Sequence, residues 1–191
     1  MQDSREYRWM LFVDGENFTI RGEGVAKEHG LALKVGQWYS PGEFLWIPGH
    51  PGIARQGRLQ PAVEWIAIRA SYYTSVCGDD DRIQQVRDSL RALSFDPNVF
   101  KKVRKSDKAK GVDIALTNDM LSHAFLGNYE TAVLVTGDRD FLPVIEQVKR
   151  LGKRVHLHFF GGKNTSDALR IAADEYFDLT DHFSTAWKQR Q

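Results

Sequence analysis

The chain of 191 residues is poor in most of the features that announce a special environment. It has one cysteine, Cys77, which excludes an intrachain disulfide framework and a cysteine-based zinc site. A reducing cytoplasm is the default location. No apolar run approaches the length of a membrane span, and the opening residues MQDSREYRW lack the apolar region of a secretory signal. Net charge is +1, so the overall field steers the chain toward neither nucleic acid nor membrane. Internal repeats and low-complexity tracts are also missing. A Gly-x-Ser-x-Gly elbow is absent and Cys77 has no evident base, which argues against a serine or cysteine hydrolase.

What is present is an alternation of strand and helix patterns. RWMLFVDG is the first strand, and Trp9 to Val13 within it is apolar on both faces, as a central parallel strand is. A helix is expected to start near Asn17. VEWIAIRASYY, near residues 63–73, is the second strand. DDDRIQQVRDSLRAL follows as an amphipathic helix with Ile83, Val86, Leu90 and Leu93 on one stripe. The aspartates 79–81 suit its N-terminus. NVFKKV is a short strand, and GVDIALTNDMLSHAFL a helix with Val112, Leu116, Met120 and Ala124 spaced by four. TAVLVT is a strand, FLPVIEQVKRLG a helix closed by Gly152, and KRVHLHFF a strand. TSDALRIAADEYF begins as a helix. The alternation implies βαβ units, a mainly parallel sheet and helices on both faces. We read residues 1–191 as a single domain. Residues 36–61 break the rhythm with four of the six prolines, and we read them as an inserted loop or small subdomain. Its aromatics, Trp38, Tyr39, Phe44 and Trp46, are expected to form a local cluster rather than to stack bases. His156 and His158 alternate with apolar residues, which suggests an edge strand with one polar face.

In a parallel α/β sheet the C-terminal strand ends and the following helix N-termini share one rim, where ligands bind. Asp14 ends the first strand, Asp138 follows the VLVT strand, and Asp113 lies in the first turn of a helix. The pattern therefore places three carboxylates, far apart in sequence, on one rim. Held close, they would raise one another's pKa, a cost that a divalent cation removes. Oxygen-only ligands suit Mg²⁺ or Mn²⁺. Asp140 reads equally as a helix cap or a group at the metal, and Asn17 as a cap or a partner for a ligand water. Asp119 lies roughly 9 Å beyond Asp113 along the helix axis, and is expected to orient other groups. The run KKVRKSDKAK, residues 101–110, brings Lys101, Lys102, Arg104, Lys105, Lys108 and Lys110 to the approach to Asp113. It reads as a solvated loop or as a grip on phosphates. Arg139, between two acids, could contact a phosphate or pair with a carboxylate.

Four stretches, FVDGENF, KGVDIALTNDML, VLVTGDRDFLPVIEQVKRLGKRV and LRIAADEYFDL, resemble in order the NYN domain family, and its LabA-like branch most of all. That family belongs to the PIN-like group of metal-dependent nucleases. The resemblance implies a PIN-like three-layer α/β/α sandwich and Mg²⁺- or Mn²⁺-dependent hydrolysis of RNA. It puts metal-ligand roles on Asp14, Asp113 and Asp138, and supporting roles on Asn17 and Asp140. The expected partner is RNA, single-stranded by preference, with no membrane; self-association stays open. Two alternatives compete. One is a non-catalytic RNA-binding or regulatory module on the same scaffold. The other is a phosphatase of the haloacid dehalogenase type, which needs a second aspartate two residues after the first; here that position is Glu16.

Overall fold

The structure is a computed structural model, and it describes residues 8–47, 67–104 and 111–189. Six strands form one sheet: β1 (Trp9–Asp14), β4 (Ala67–Cys77), β5 (Asp96–Lys102), β6 (Thr131–Val135), β7 (Arg154–Phe159) and β8 (Glu175–Asp178). The order across the sheet is β5-β4-β1-β6-β7-β8, and every neighbouring pair is parallel. β1 is central, and all six of its residues are buried. Chain progression reverses direction at β1, so a crevice opens at the C-terminal ends of β1 and β6.

Helices cover both faces. α1 (Gly15–Glu28), α2 (Asp80–Ala92) and α6 (Thr180–Lys188) bury Phe18, Val25, Ile83, Val86, Leu90, Phe183 and Trp187 in one core layer. α3 (Val112–Phe125), α4 (Leu142–Arg150) and α5 (Asp167–Ala172) bury Val112, Leu116, Met120, Val144, Ile145 and Leu169 in the other. The result is a three-layer α/β/α sandwich, as the alternation of patterns implied. The stripe Ile83, Val86, Leu90 and Leu93 and the four-residue spacing on α3 are buried as read. Gly152 ends α4 at a φ of 77°, a conformation that a side chain would strain.

Residues 39–45 form a minimal hairpin of β2 (Tyr39–Ser40) and β3 (Phe44–Leu45). Its aromatics do not make a separate cluster. Trp46 sits within the main core, 4.9 Å from the Phe95 ring, 5.3 Å from Phe18 and 5.6 Å from Phe183. Tyr72 of β4 pins the hairpin, its hydroxyl accepting from the Leu45 N–H and donating to the Leu45 carbonyl, both at 3.2 Å. Trp46 is therefore an inter-element anchor, and Trp46→Ala is expected to cost about 3–5 kcal/mol of folding stability. Denaturant unfolding checks this, and a loss below about 1 kcal/mol would show the hairpin to be dispensable. Residues 48–61 of the expected insertion and 63–66 of the expected second strand lie outside the described residues.

Two expectations are corrected. α1 starts at Gly15, directly after β1, rather than near Asn17. TSDALRIAADEYF begins as a helix, as read: α5 ends at Ala172, and Glu175–Asp178 follows as the unread strand β8. β8 pairs outside β7, His158 opposite Phe177, so β7 is internal and not an edge. His158 is consequently buried against the Phe177 ring at 4.5 Å, and burial pushes its pKa down to about 3. It is a neutral core histidine at ordinary pH.

Candidate active site

Asp14 is the last residue of β1 and is only 3% exposed. The chain passes straight from strand to helix here, so its carboxylate caps α1: Oδ1 accepts the Asn17 N–H at 3.3 Å. Gly15 makes that junction possible, because a Cβ there would run into the Tyr72 ring. Oδ2 accepts the Thr136 hydroxyl at 2.8 Å. Burial pushes the Asp14 pKa up to about 7. The Thr136 and Asn17 hydrogen bonds oppose the rise, and the charges of Asp113 and Asp138 add to it. The three acids thus bear on one point electrostatically.

Asp138 follows β6 by three residues. Its carboxylate caps the single 3₁₀ turn Arg139–Phe141 that leads into α4, accepting the Asp140 N–H at 3.0 Å. Asp140 is therefore not the cap; it is exposed, beside exposed Arg139. Thr136 links the two acids, donating to Asp14 while its oxygen accepts the Asp138 N–H at 3.1 Å. Asn17 neither caps α1 through its side chain nor points away: its Oδ1 accepts the Gly137 N–H at 3.0 Å. α1 is thereby clamped to the loop after β6. Gly137 is close-packed, since a Cβ would strike the Asn164 carbonyl and the Phe159 ring.

Asp113 is exposed in the first turn of α3, behind Gly111 at a φ of 114°. Asp119, further along α3, accepts the Tyr73 hydroxyl at 2.8 Å. Burial, and then that bond, raise the Tyr73 pKa, so the phenol stays a donor. Tyr73 is the β4 residue paired with Asp14 in register, which ties Asp119 to the site through one side chain. Glu16, Ser75 and Lys102 make a second cluster: Glu16 accepts from the Ser75 hydroxyl at 2.7 Å and from Lys102 Nζ at 3.3 Å. The Lys102 side chain is only 8% exposed, and Lys101 pairs with Asp80 at 2.9 Å. Arg104 and Arg139 are exposed, whereas Lys105, Lys108 and Lys110 lie outside the described residues.

Sequence reading passed over Thr136, Ser75 and Glu16. Only the parallel register exposes Thr136: Val13 pairs with Val135, so the next residues, Asp14 and Thr136, end up side by side.

The donor set is all oxygen, which suits a hard divalent cation. Among the described residues, no three His, Cys, Asp or Glu side chains stand close enough to grip one ion together. Mg²⁺ does not need such a cage, because it keeps several waters and takes one or two carboxylates directly. A carboxylate whose pKa is raised by burial, with two neighbouring charges adding to the rise, is the group such an ion would relieve.

Residues 8–180 match the NYN domain family. The chain belongs to that family. NYN domains have a PIN-like nuclease fold, and the three layers and parallel sheet described above conform to it. The crystal structure of a protein of unknown function from Vibrio parahaemolyticus RIMD 2210633 superposes with a TM-score of 0.63 at 22% identity. The match covers 94% of this chain and 96% of that one. It establishes a shared fold for this NYN domain and no more. No curated protein matches the chain. Among the described residues, no helix is long and apolar enough to cross a membrane.

Proposed function

We propose that this NYN domain, of the LabA-like branch, is a metal-dependent ribonuclease that hydrolyses phosphodiester bonds of single-stranded RNA at the β1–β6 crevice. The observation that carries the reading is Asp14: a buried carboxylate with its pKa pushed up to about 7, on which the charges of Asp113 and Asp138 also act. Fold stability is better served by an uncharged residue there, so the acid is explained by what it holds. Asp14, Asp113 and Asp138 would hold Mg²⁺ or Mn²⁺. When bound, that ion supplies an activated water and stabilises charge on the leaving oxygen. Thr136 and Asn17 fix Asp14 and the Gly137–Asp138 backbone, and Asp119 acts through Tyr73. The deciding experiment incubates purified protein with generic single-stranded RNA and Mn²⁺ or EDTA. Cleavage that needs Mn²⁺ supports the reading; binding without cleavage under every metal condition favours the regulatory alternative.

The basic groups that approach the rim differ in exposure. Lys102 is nearly buried against Glu16, and Lys101 pairs with Asp80. Arg104 and Arg139, like Lys101, stand exposed, whereas Lys102 does not. Arg104→Gln and Arg139→Gln together are expected to weaken RNA binding without changing sequence preference, because groups that hold phosphates position the strand and do not read it. The slope of log affinity against log salt should flatten by roughly 0.7 for each phosphate no longer neutralised. Titrations of labelled RNA at several salt concentrations, with Ca²⁺ replacing Mn²⁺, measure it. Equal slopes for wild type and variant would remove both arginines from the interface.

A further inference from the structure

Gly137 stands between Thr136, which bridges the two acids, and Asp138 itself, and it is confined from two sides. On one side its N–H donates to the Asn17 side chain of α1 at 3.0 Å. On the other lie the Asn164 carbonyl and the Phe159 ring, which a Cβ at Gly137 would strike. One side chain of α5 holds both of these. Arg170 donates through Nη2 to the carbonyls of Gly162 at 2.8 Å and Thr165 at 3.3 Å, on either side of Asn164 in the chain. Its guanidinium also lies 5.1 Å over the ring of Tyr176, whose hydroxyl donates to the Phe159 carbonyl at 3.2 Å.

We propose that Arg170 is a positioning residue of the crevice: it keeps the turn 162–165 and Phe159 seated on Gly137, and so fixes where the Asp138 carboxylate stands. The proposal rests on the reading of Asp138 as a metal-bearing group. Asp138 lies beyond the end of β6, so no ladder bond places it. Its carboxylate accepts the Asp140 N–H of its own turn, a bond that moves with it. Its place relative to Asp14 therefore depends on the Thr136 bridge and on how firmly Gly137 is gripped. Residues that orient a ligand without touching the ion are ordinarily worth about tenfold to a hundredfold in metal affinity.

General stability explains this arginine less well. The ends of the turn are already fastened: the Gly161 N–H donates to Asp178 and to Thr180, both at 3.0 Å, and the Thr165 hydroxyl donates to the Phe160 carbonyl at 2.6 Å. Arg170 Nε is buried with no hydrogen-bond partner among the described residues, which costs stability. What the guanidinium adds is a planar fork that grips two carbonyls while stacking on a ring, a combination that lysine cannot reproduce.

Arg170→Met in the intact chain removes the donors and keeps an apolar side chain over Tyr176. Without metal, amide exchange at Gly137 and Asp138, followed by NMR, is expected to quicken roughly tenfold or more, while Leu11 and Phe12 in β1 exchange as in wild type. The Kd for Mn²⁺, measured by calorimetry without RNA, should rise about tenfold, and kcat on single-stranded RNA should fall with KM unchanged. Arg170→Lys keeps the charge over Tyr176 and can reach one carbonyl, so its values should fall between wild type and Arg170→Met. Unchanged exchange at Gly137 and Asp138 overturns the proposal. So does exchange that quickens equally in β1, which makes Arg170 a residue of general stability. An unchanged Kd for Mn²⁺ in a chain that binds the ion overturns it as well. A wild type that binds no Mn²⁺ removes the metal reading instead, and exchange at Gly137 and Asp138 then decides the positioning by itself.

Discussion

At pH 8 in EDTA, Asp14→Asn is expected to unfold several degrees above the wild-type protein, while losing metal-dependent cleavage. The sign follows from linkage. Asp14 titrates at about 7 in the folded chain, against 3.8 for the unperturbed group. The folded state therefore holds an extra proton between these two values, and stability falls as pH rises through that window. Below about pH 4 the carboxyl is protonated in both states and carries no penalty; above about pH 7 the penalty is complete. A shift of this size corresponds to roughly 4 kcal/mol at full ionisation. Asparagine keeps an acceptor for the Asn17 N–H but must rearrange its contact with Thr136, so the net gain is set at roughly 2–3 kcal/mol. For a domain of this size that is on the order of 5–10 °C. The gain should shrink as pH falls toward 4. Saturating Mn²⁺ should raise the wild-type midpoint and leave the variant unmoved, since a ligand stabilises only the state that binds it. Unfolding midpoints at pH 4.5 and pH 8, with and without Mn²⁺, make the measurement. A variant less stable than wild type at pH 8 would make Asp14 a structural cap and nothing else.

Asp138→Asn is expected to reduce cleavage at least a hundredfold with little change in stability. Loss of a metal-bearing carboxylate removes transition-state stabilisation, for which about 3 kcal/mol or more is ordinary. The structural duty of Asp138 is to accept the Asp140 N–H at 3.0 Å, and an asparagine oxygen does that equally well. Removing its charge also relieves some of the pressure on Asp14, so the metal-free protein should, if anything, unfold slightly later. Cleavage rates over a Mn²⁺ series, paired with unfolding curves, separate the two roles. Full activity would exclude Asp138 from the chemistry, and a destabilisation of several kcal/mol would mark it as structural.

The sequence alone determined the element types and the sheet class wherever periodicity is strong. β1 reads as a buried strand because both of its faces are apolar, and α2 and α3 read as helices because their stripes repeat every three to four residues. It also placed Asp14, Asp113 and Asp138 at strand ends and a helix start, since those positions follow from local pattern. β8 escaped it because Glu175–Asp178 is four residues long and only its two middle side chains, Tyr176 and Phe177, are half-buried, too little for a period. Missing β8 made β7 look like an edge, and His158 look like part of a polar face.

Tertiary structure alone decided how the site is wired. That Thr136 bridges Asp14 and Asp138, that Asn17 reaches Gly137, and that Tyr73 carries Asp119 to the rim all depend on parallel register between strands remote in the chain. Register is fixed by packing across the sheet and leaves no local signature. The same holds for charge. Asp14 ends an apolar strand, and burial is what makes it an acid that resists ionisation. Desolvation depends on what covers a residue from every side, and its chain neighbours supply only part of that cover.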